Sequence, residues 1–169
     1  MWIVWIVIAV TSVGLDQWTK AIAVSKLRGA GTQQFIPGLL QFTYVENTGA
    51  AFGMLKGQRW LFLTFSTLAI AAIIVFMIWK RKEIPVVPGI ALAMIAGGGV
   101  GNQIDRFVNG YVVDFLEFGF INFPVFNIAD SFVTVGAVML ACFILFGDLG
   151  KTKKKKESGS SDGTGNNKS

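Results

Sequence analysis

Between Phe118 and Phe146 the chain reads FGFINFPVFNIADSFVTVGAVMLACFILF, an apolar run in which Asp130 is the only charged residue. Placing a carboxylate at the centre of a membrane helix costs roughly 2.5–3.5 kcal/mol, even on the lenient scale measured by translocon insertion of helices. Such a group is retained where it has a chemical task or where a partner neutralises it. The nearest polar side chains along the chain are those of Asn127 and Ser131. This stretch therefore predicts a membrane helix that carries a functional acid.

Three further stretches have a similar length and composition. The four predicted spans are about Trp2 to Val24, Trp60 to Trp79, Ile84 to Ile104 and about Pro124 to Gly147. At about 1.5 Å per helical residue, each is long enough to cross roughly 30 Å of hydrocarbon. An apolar content of 53%, a charged content of 15% and a mean hydropathy of +0.58 are also typical of an integral membrane protein.

The basic residues predict the orientation of these spans. Residues 151–169 hold six Lys against Glu157 and Asp162, so this Lys- and Ser-rich tail carries +4 of the net charge of +5. The basic balance is therefore a property of the tail and does not indicate nucleic-acid binding. With the tail and the turn Lys80-Arg81-Lys82 on the cytoplasmic side, most Lys and Arg lie inside. We expect cytoplasmic N- and C-termini and a disordered tail that is attracted to membrane lipid.

Two segments on the opposite side of the membrane have the composition of short strands. Residues 40–45 and 111–116 are rich in β-branched and aromatic side chains and are bounded by Gly and Asn. The expected fold is a mainly α membrane protein with four transmembrane helices over residues 1–150. Its outer segments, 25–58 and 106–123, carry a little β-structure, and the tail covers 151–169.

Polar residues of three spans fall at one depth. Counted at about 1.5 Å per residue from the cytoplasmic ends, Asp16 lies roughly 21 Å up, Lys20 27 Å, Asn102 28 Å and Asp130 31 Å. Asp114 lies in the outer loop between the third and fourth spans and can fold back to that depth. The chain has no His, which excludes Ser-His-Asp triads, Cys-His dyads and HExxH zinc sites. Paired carboxylates are therefore the leading candidates for hydrolytic chemistry.

Several of the polar residues also have a structural interpretation. Asp16 and Lys20 are four residues apart, so on a helix they can form an ion pair. The glycines of 97–101 favour close helix packing. Arg106 could anchor the third span at the interface, Asn47 could be a turn residue, and Asp105 and Glu117 are expected to be solvated or interfacial.

Five sequence blocks together resemble one known family. They are DQWTK (16–20), NTGAAF (47–52), GGVGNQIDR (98–106), VVDF (112–115) and FNIADS (126–131). In this order, and with four spans over residues 1 to about 147, the chain resembles lipoprotein signal peptidase, also called signal peptidase II. That family consists of bacterial membrane aspartic peptidases.

The resemblance implies a catalytic pair, Asp114 and Asp130, that activates water without a metal or cofactor. It also implies a set of residues that bind substrate or support the site: Asp16, Lys20, Asn47, Gly49, Gly98, Asn102, Arg106, Asn127 and Ala129. The implied substrate is a prolipoprotein whose cysteine carries a diacylglyceryl group, and cleavage falls just before that cysteine. The implied location is the bacterial inner membrane, with the active site and a small β-cradle at the extracytoplasmic face. We expect a monomer.

Three other functions remain open at this point. A Ser/Lys peptidase could use Lys20 with Ser12 or Ser66, although neither serine lies in a recognisable nucleophile motif. A small proton-coupled transporter could use Asp16, Lys20 and Asp130 as a relay. A binding-only assembly partner would have no catalytic activity to lose.

Overall fold

The computed structural model describes residues 1–49 and 59–159, which form four helices and three strands. The helices are α1 (Trp2–Leu27), α2 (Arg59–Trp79), α3 (Val86–Val108) and α4 (Ile128–Gly159). The strands are β1 (Gln33–Ile36), β2 (Leu40–Asn47) and β3 (Val112–Phe118). Each helix contains a segment that is long and apolar enough to cross a membrane. The predicted fold class, four membrane helices with a small sheet, is confirmed.

Helix α3 is the centre of the bundle and packs against α1, α2 and α4. Glycines make this packing close. A Cβ on Gly97 would lie 2.7 Å from the carbonyl oxygen of Ala9 in α1, and one on Gly98 would lie 2.5 Å from that of Ala129 in α4. No side chain fits at either position, which agrees with the packing interpretation of the glycine-rich block.

The three strands form an antiparallel sheet in the order β1-β2-β3, and this sheet positions Asp114. Val113 and Phe115 of β3 are buried together with Ala23 and Leu27 at the end of α1. Successive side chains of a strand point to opposite faces. Because its two neighbours are anchored on α1, the Asp114 side chain is directed away from α1, and in β2 Val45 is paired opposite it.

Two secondary-structure elements differ from the sequence predictions. Strand β1 was not predicted. Helix α4 continues through residues 151–159, the start of the segment expected to be disordered; Lys and Glu are good helix formers, so the helix continues at little cost. Residues 160–169 of the predicted tail and 50–58 of the first outer segment lie outside the described residues.

Candidate active site

Asp114 and Asp130 line the same cavity. The cavity has a volume of about 440 Å³ and is bounded by β3, α3, the start of α4 and the segment that precedes α4. Asp114 is buried, at 2% exposure, and Asp130 is half-buried. Four more of the residues predicted for the site also line this cavity: Asn47, Gly49, Asn102 and Arg106. Acids from two separate segments of the chain thus line one cavity.

Asn127 connects the two aspartates from behind the cavity. It is fully buried and is not among the residues that line the cavity. Its Nδ2 donates to Asp114 Oδ1 at 2.7 Å, and its Oδ1 accepts from the backbone N–H of Asp130 at 2.9 Å. Asp130 Oδ2 in turn accepts from the backbone N–H of Asn127 at 3.2 Å. This reciprocal pair is a capping box, which satisfies N–H groups at the start of α4.

Asn102 presents its amide nitrogen to Asp130. Its Oδ1 accepts from Lys20 Nζ at 2.8 Å, and its Nδ2 donates to Asp130 Oδ1 at 2.7 Å. Because an ammonium group can only donate, Lys20 fixes the carbonyl side of this amide. The NH₂ side must then face the carboxylate, so Lys20 orients Asp130 through Asn102.

Asn47 is oriented by the same kind of constraint. The backbone N–H of Gly49 donates to Asn47 Oδ1 at 3.0 Å, which leaves Asn47 Nδ2 to donate to Asp114 Oδ2 at 2.9 Å. Asn47 and Asn127 together provide hydrogen bonds to both oxygens of the Asp114 carboxyl group. The remaining residues of the NTGAAF block, 50–52, lie outside the described residues.

A buried charge cluster supports the site from the α1 side. Lys20 Nζ lies 2.8 Å from Asp16 Oδ2 and 3.0 Å from Asp105 Oδ2. The expected pair of Asp16 and Lys20 is therefore present. Asp105, which was expected to be solvated or interfacial, is instead buried, at 3% exposure. Asp105 also accepts from the backbone N–H of Val113 at 3.0 Å, which ties α3 to β3 beside Asp114.

Three more hydrogen bonds extend this cluster. The backbone N–H of Ala129 donates to Asp16 Oδ1 at 2.9 Å, so α1 holds the first turn of α4. Gln17, which sequence reasoning missed, donates through Nε2 to Asp105 Oδ1 at 3.0 Å and to the carbonyl of Gly101 at 3.1 Å. The signal for Gln17 was its position beside Asp16 on a membrane helix, where a polar amide needs partners.

Arg106 lies on the cavity wall without a direct bond to either aspartate among the described contacts. Its guanidinium donates to the carbonyl of Asn102 at 3.4 Å and lies 5.4 Å from the ring centroid of Phe62. The guanidinium has five N–H donors, so most remain available to a bound molecule.

The environment of Asp114 favours its protonated form. Burial raises the pKa of Asp114 to about 7, the nearby charge of Asp130 acts in the same direction, and the hydrogen bonds from Asn47 and Asn127 partly oppose both effects. One acid of the pair therefore holds a proton near neutral pH, which is the state that acid–base catalysis by two carboxylates requires.

An aromatic cluster forms the apolar wall of the cavity. The ring of Phe118 lies 5.0 Å from that of Phe126 and 5.7 Å from that of Phe123, measured between centroids. All three line the cavity together with its polar residues. The site therefore offers one polar and one apolar surface to a substrate.

The described contacts do not support a Ser/Lys site. Ser12 and Ser66 each donate to a backbone carbonyl of their own helix, those of Ile8 and Phe62. Lys20 forms ion pairs with Asp16 and Asp105 and donates a hydrogen bond to Asn102. Neither serine has the basic partner that a nucleophile needs.

Comparisons with known proteins give a consistent result. Residues 8–146 match the sequence model of a family described as Signal peptidase (SPase) II. The chain is 35% identical over 157 residues to the lipoprotein signal peptidase of Enterococcus faecalis, which covers 93% of this chain and 96% of that protein. It is 44% identical over 137 residues to that of Gloeothece citriformis, with 80% and 84% covered.

Two solved structures are also similar. A bacterial membrane enzyme determined by the in meso method at 2.3 Å resolution has a TM-score of 0.77 and 31% identity, with 98% of this chain and 94% of that chain covered. A second, determined in the same way at 1.9 Å, has a TM-score of 0.76 and 33% identity, with 84% and 92% covered.

Proposed function

The chain belongs to the signal peptidase II family, and we propose that it cleaves diacylglyceryl-modified prolipoproteins just before the lipidated cysteine, with Asp114 and Asp130 activating water. Family membership makes it a membrane protease that removes signal peptides from prolipoproteins. The proposal of a catalytic pair rests on one observation: Asp114, which is buried, and Asp130, which is half-buried, line the same cavity.

The two acids have different roles in this proposal. Asp130 lies in the first turn of α4 and is half-buried in the same cavity, and it serves as the base. Asp114, with its raised pKa, carries the proton and serves as the acid. Because catalysis needs both acids, the pH profile of the reaction reports the pair rather than either residue alone.

The reaction then proceeds in two steps. Asp130 takes a proton from water as the water oxygen attacks the scissile carbonyl carbon, and Asp114 gives its proton to the carbonyl oxygen. A gem-diol results. In the second step Asp130 returns its proton to the amide nitrogen, the C–N bond breaks, and a diol hydroxyl returns a proton to Asp114.

The cavity walls fit the two parts of this substrate. The N–H groups of Asn47 and Arg106 can donate to carbonyls of an extended peptide, while the phenylalanine wall suits apolar side chains and lipid. The signal-peptide helix and the diacylglyceryl chains remain in the membrane. A site at the extracytoplasmic edge of the bacterial inner membrane meets the bond where the hydrocarbon ends, and the basic turn and tail support that orientation.

Purified protein in detergent provides the test. We expect cleavage of a diacylglyceryl-modified prolipoprotein, little cleavage of the unmodified form, and a rate lower by about 10²–10⁴-fold in Asp114→Asn and in Asp130→Asn. Glu117→Gln, which removes an acid from the same strand as Asp114, is the matched control and should cleave normally. Wild-type rates in either aspartate variant would refute the pair, and equal cleavage of both substrates would refute the lipid requirement.

A further inference from the structure

A second cavity, which shares no lining residue with the cavity of the paired acids, lies between α1, α2 and α3. We call it the α1–α2 groove; its volume is about 690 Å³, within the range of ligand pockets. It is lined by α1 between Trp2 and Gly14, by α2 between Ile74 and Ile78, by Arg81 in the turn after α2, and by α3 between Ala93 and Val100. Every lining residue except Arg81 is apolar.

The length of the groove matches one membrane leaflet. From Trp2 to Gly14 the wall formed by α1 rises by about 18 Å, at about 1.5 Å per residue. The hydrocarbon of a bilayer is roughly 30 Å thick, so one leaflet accounts for about half of that. The groove is thus long enough for a lipid chain and too short to hold a helix that crosses the whole membrane.

Two cations lie at the open end of the groove. Arg81 and Lys82 line a smaller cavity that shares Trp2 and Arg81 with the groove. Both are exposed, and neither has an acidic partner among the described side chains. The adjacent Lys80 differs, because its Nζ lies 2.9 Å from Glu83 Oε2. An apolar groove with two exposed cations beside it is complementary to an acyl chain that ends in an anionic group.

We propose that the α1–α2 groove binds an anionic phospholipid, with one acyl chain along α1 and the phosphate at Arg81 and Lys82. A signal peptide fits less well, because its positively charged start would face these same cations. In the proposed orientation the site lies in the cytoplasmic leaflet, which is rich in anionic lipids. The site does not involve the paired acids, so it is independent of the proposed catalysis.

Native mass spectrometry of the full chain in detergent tests the headgroup site. The probes are dioleoyl phosphatidylglycerol, which is anionic, and dioleoyl phosphatidylcholine, which is not. We expect tighter binding of the anionic lipid, and a loss of about fivefold in its affinity for each of Arg81→Gln and Lys82→Gln. Lys80→Gln removes the same charge from the same turn and should leave the affinity for both lipids unchanged. Equal binding of both lipids, or an unchanged preference in the Arg81 and Lys82 variants, would overturn the proposal.

A second pair of variants tests the apolar part of the groove. A Cβ at Gly14 meets no atom within 4 Å, so the ring of Gly14→Phe has room to enter the groove without disturbing α1. We expect this variant to lose the bound anionic lipid, whereas Leu15→Phe, on an exposed neighbour outside the groove, retains it. Glycerol phosphate, which has the anionic group but no acyl chain, should not displace the lipid. Lipid retention in Gly14→Phe, or a lipid-free dimer in the spectra, would rule out the acyl-chain site.

Discussion

At the scale of single residues, the site depends on the direction in which two amides face. Asn47 and Asn102 each receive a hydrogen bond on their carbonyl side from a group that can only donate, and each then donates to one of the aspartates. A carboxylate in the same place would repel the acids, and an apolar residue would leave them without a donor. The amides therefore hold the acids without adding charge.

Replacing Lys20 with Met tests the buried cation. Without the ammonium group, Asp16 and Asp105 become unpaired buried charges, and breaking such a pair costs about 3–5 kcal/mol of unfolding free energy. Lys26→Met, on the exposed side of the same helix, should change stability by less than about 0.5 kcal/mol. Chemical denaturation in detergent measures both. Equal stability of the two variants would show that the cluster has no structural importance.

The pH dependence of stability tests the protonation of Asp114. Its pKa is raised from 3.8 to about 7 by folding, so between these values the folded chain binds a proton that the unfolded chain does not. The contribution of this group to stability is complete below about pH 4 and is lost as the pH rises through 7, by up to about 1.4 kcal/mol per pH unit. In Asp114→Asn there is no carboxyl group at this position to titrate, so this pH-dependent loss of stability should be absent.

Unfolding at pH 5 and at pH 8 compares the two proteins. We expect the stability of Asp114→Asn relative to wild type to be higher at pH 8 than at pH 5 by about 2–3 kcal/mol. Parallel stability curves for the two proteins over this range would contradict the raised pKa.

Asp105 shows the limit of sequence reasoning at this scale. It was expected to be solvated or interfacial, although residues three apart on a helix lie on the same face. Asp105 lies three residues after Asn102 and therefore shares its face, toward Lys20. Helix phase alone would have placed it correctly, whereas the donors that reach it from Gln17 and Val113 required the tertiary structure.

At the scale of elements, the start of α4 is both a helix cap and part of the site. The capping box of Asn127 and Asp130 is a sequence pattern that precedes an apolar run, and it could have been recognised from the FNIADS block. The hydrogen bond from the Asn127 side-chain amide to Asp114 could not have been recognised from the sequence, because it depends on how β3 packs beside α4.

Two substitutions of Asn127 separate its roles. Asn127→Ser keeps an oxygen that can accept from the N–H of Asp130 but removes the amide donor to Asp114. Because that donor lowers the pKa of Asp114, its loss should move the high-pH limb of kcat/KM to higher pH. Asn127→Ala loses the cap as well and should cost about 1 kcal/mol more in unfolding free energy. An unmoved pH limb in Asn127→Ser would show that the amide does not act on Asp114.

Gly101 tests the contact between α3 and α1. A Cβ there would lie 2.6 Å from Asp16 Oδ2, so Gly101→Ala should destabilise the protein by about 1–3 kcal/mol. Gly14→Ala, on the open side of α1, should be neutral or stabilising by up to about 1 kcal/mol. Thermal unfolding in detergent distinguishes the two. A tolerated alanine at Gly101 would mean that the helices can move apart without cost.

The strands show why some elements could be predicted from the sequence and others could not. β2 and β3 have β-branched and aromatic residues, and both were expected close to their observed bounds. The four residues of β1 are all exposed, so no alternation of buried and exposed positions marked them as a strand. Only pairing with β2 defines β1.

At the scale of the whole molecule, four helices place one polar site at one end of an apolar bundle. Hydropathy was sufficient to predict the spans, because each must cover the same thickness of hydrocarbon. Their packing order around α3 was not predictable, since it depends on which glycines meet which backbone atoms.

Cysteine labelling in cells tests the proposed sidedness. In a Cys142→Ser background, Ala30→Cys near the sheet should react with a maleimide that cannot cross membranes. Glu83→Cys, in the turn between α2 and α3, should react only after the cells are permeabilised. The reverse pattern would place the paired acids on the cytoplasmic side.

The capping box has a further consequence for inhibition. A compound that binds both carboxyl groups would contact Asp130, which also caps the start of α4. Substitutions of Asp130 or Asn127 that weaken such a drug would also fray that helix. Resistance at these positions should therefore be rare, and escape should arise instead through the phenylalanine wall or through higher expression.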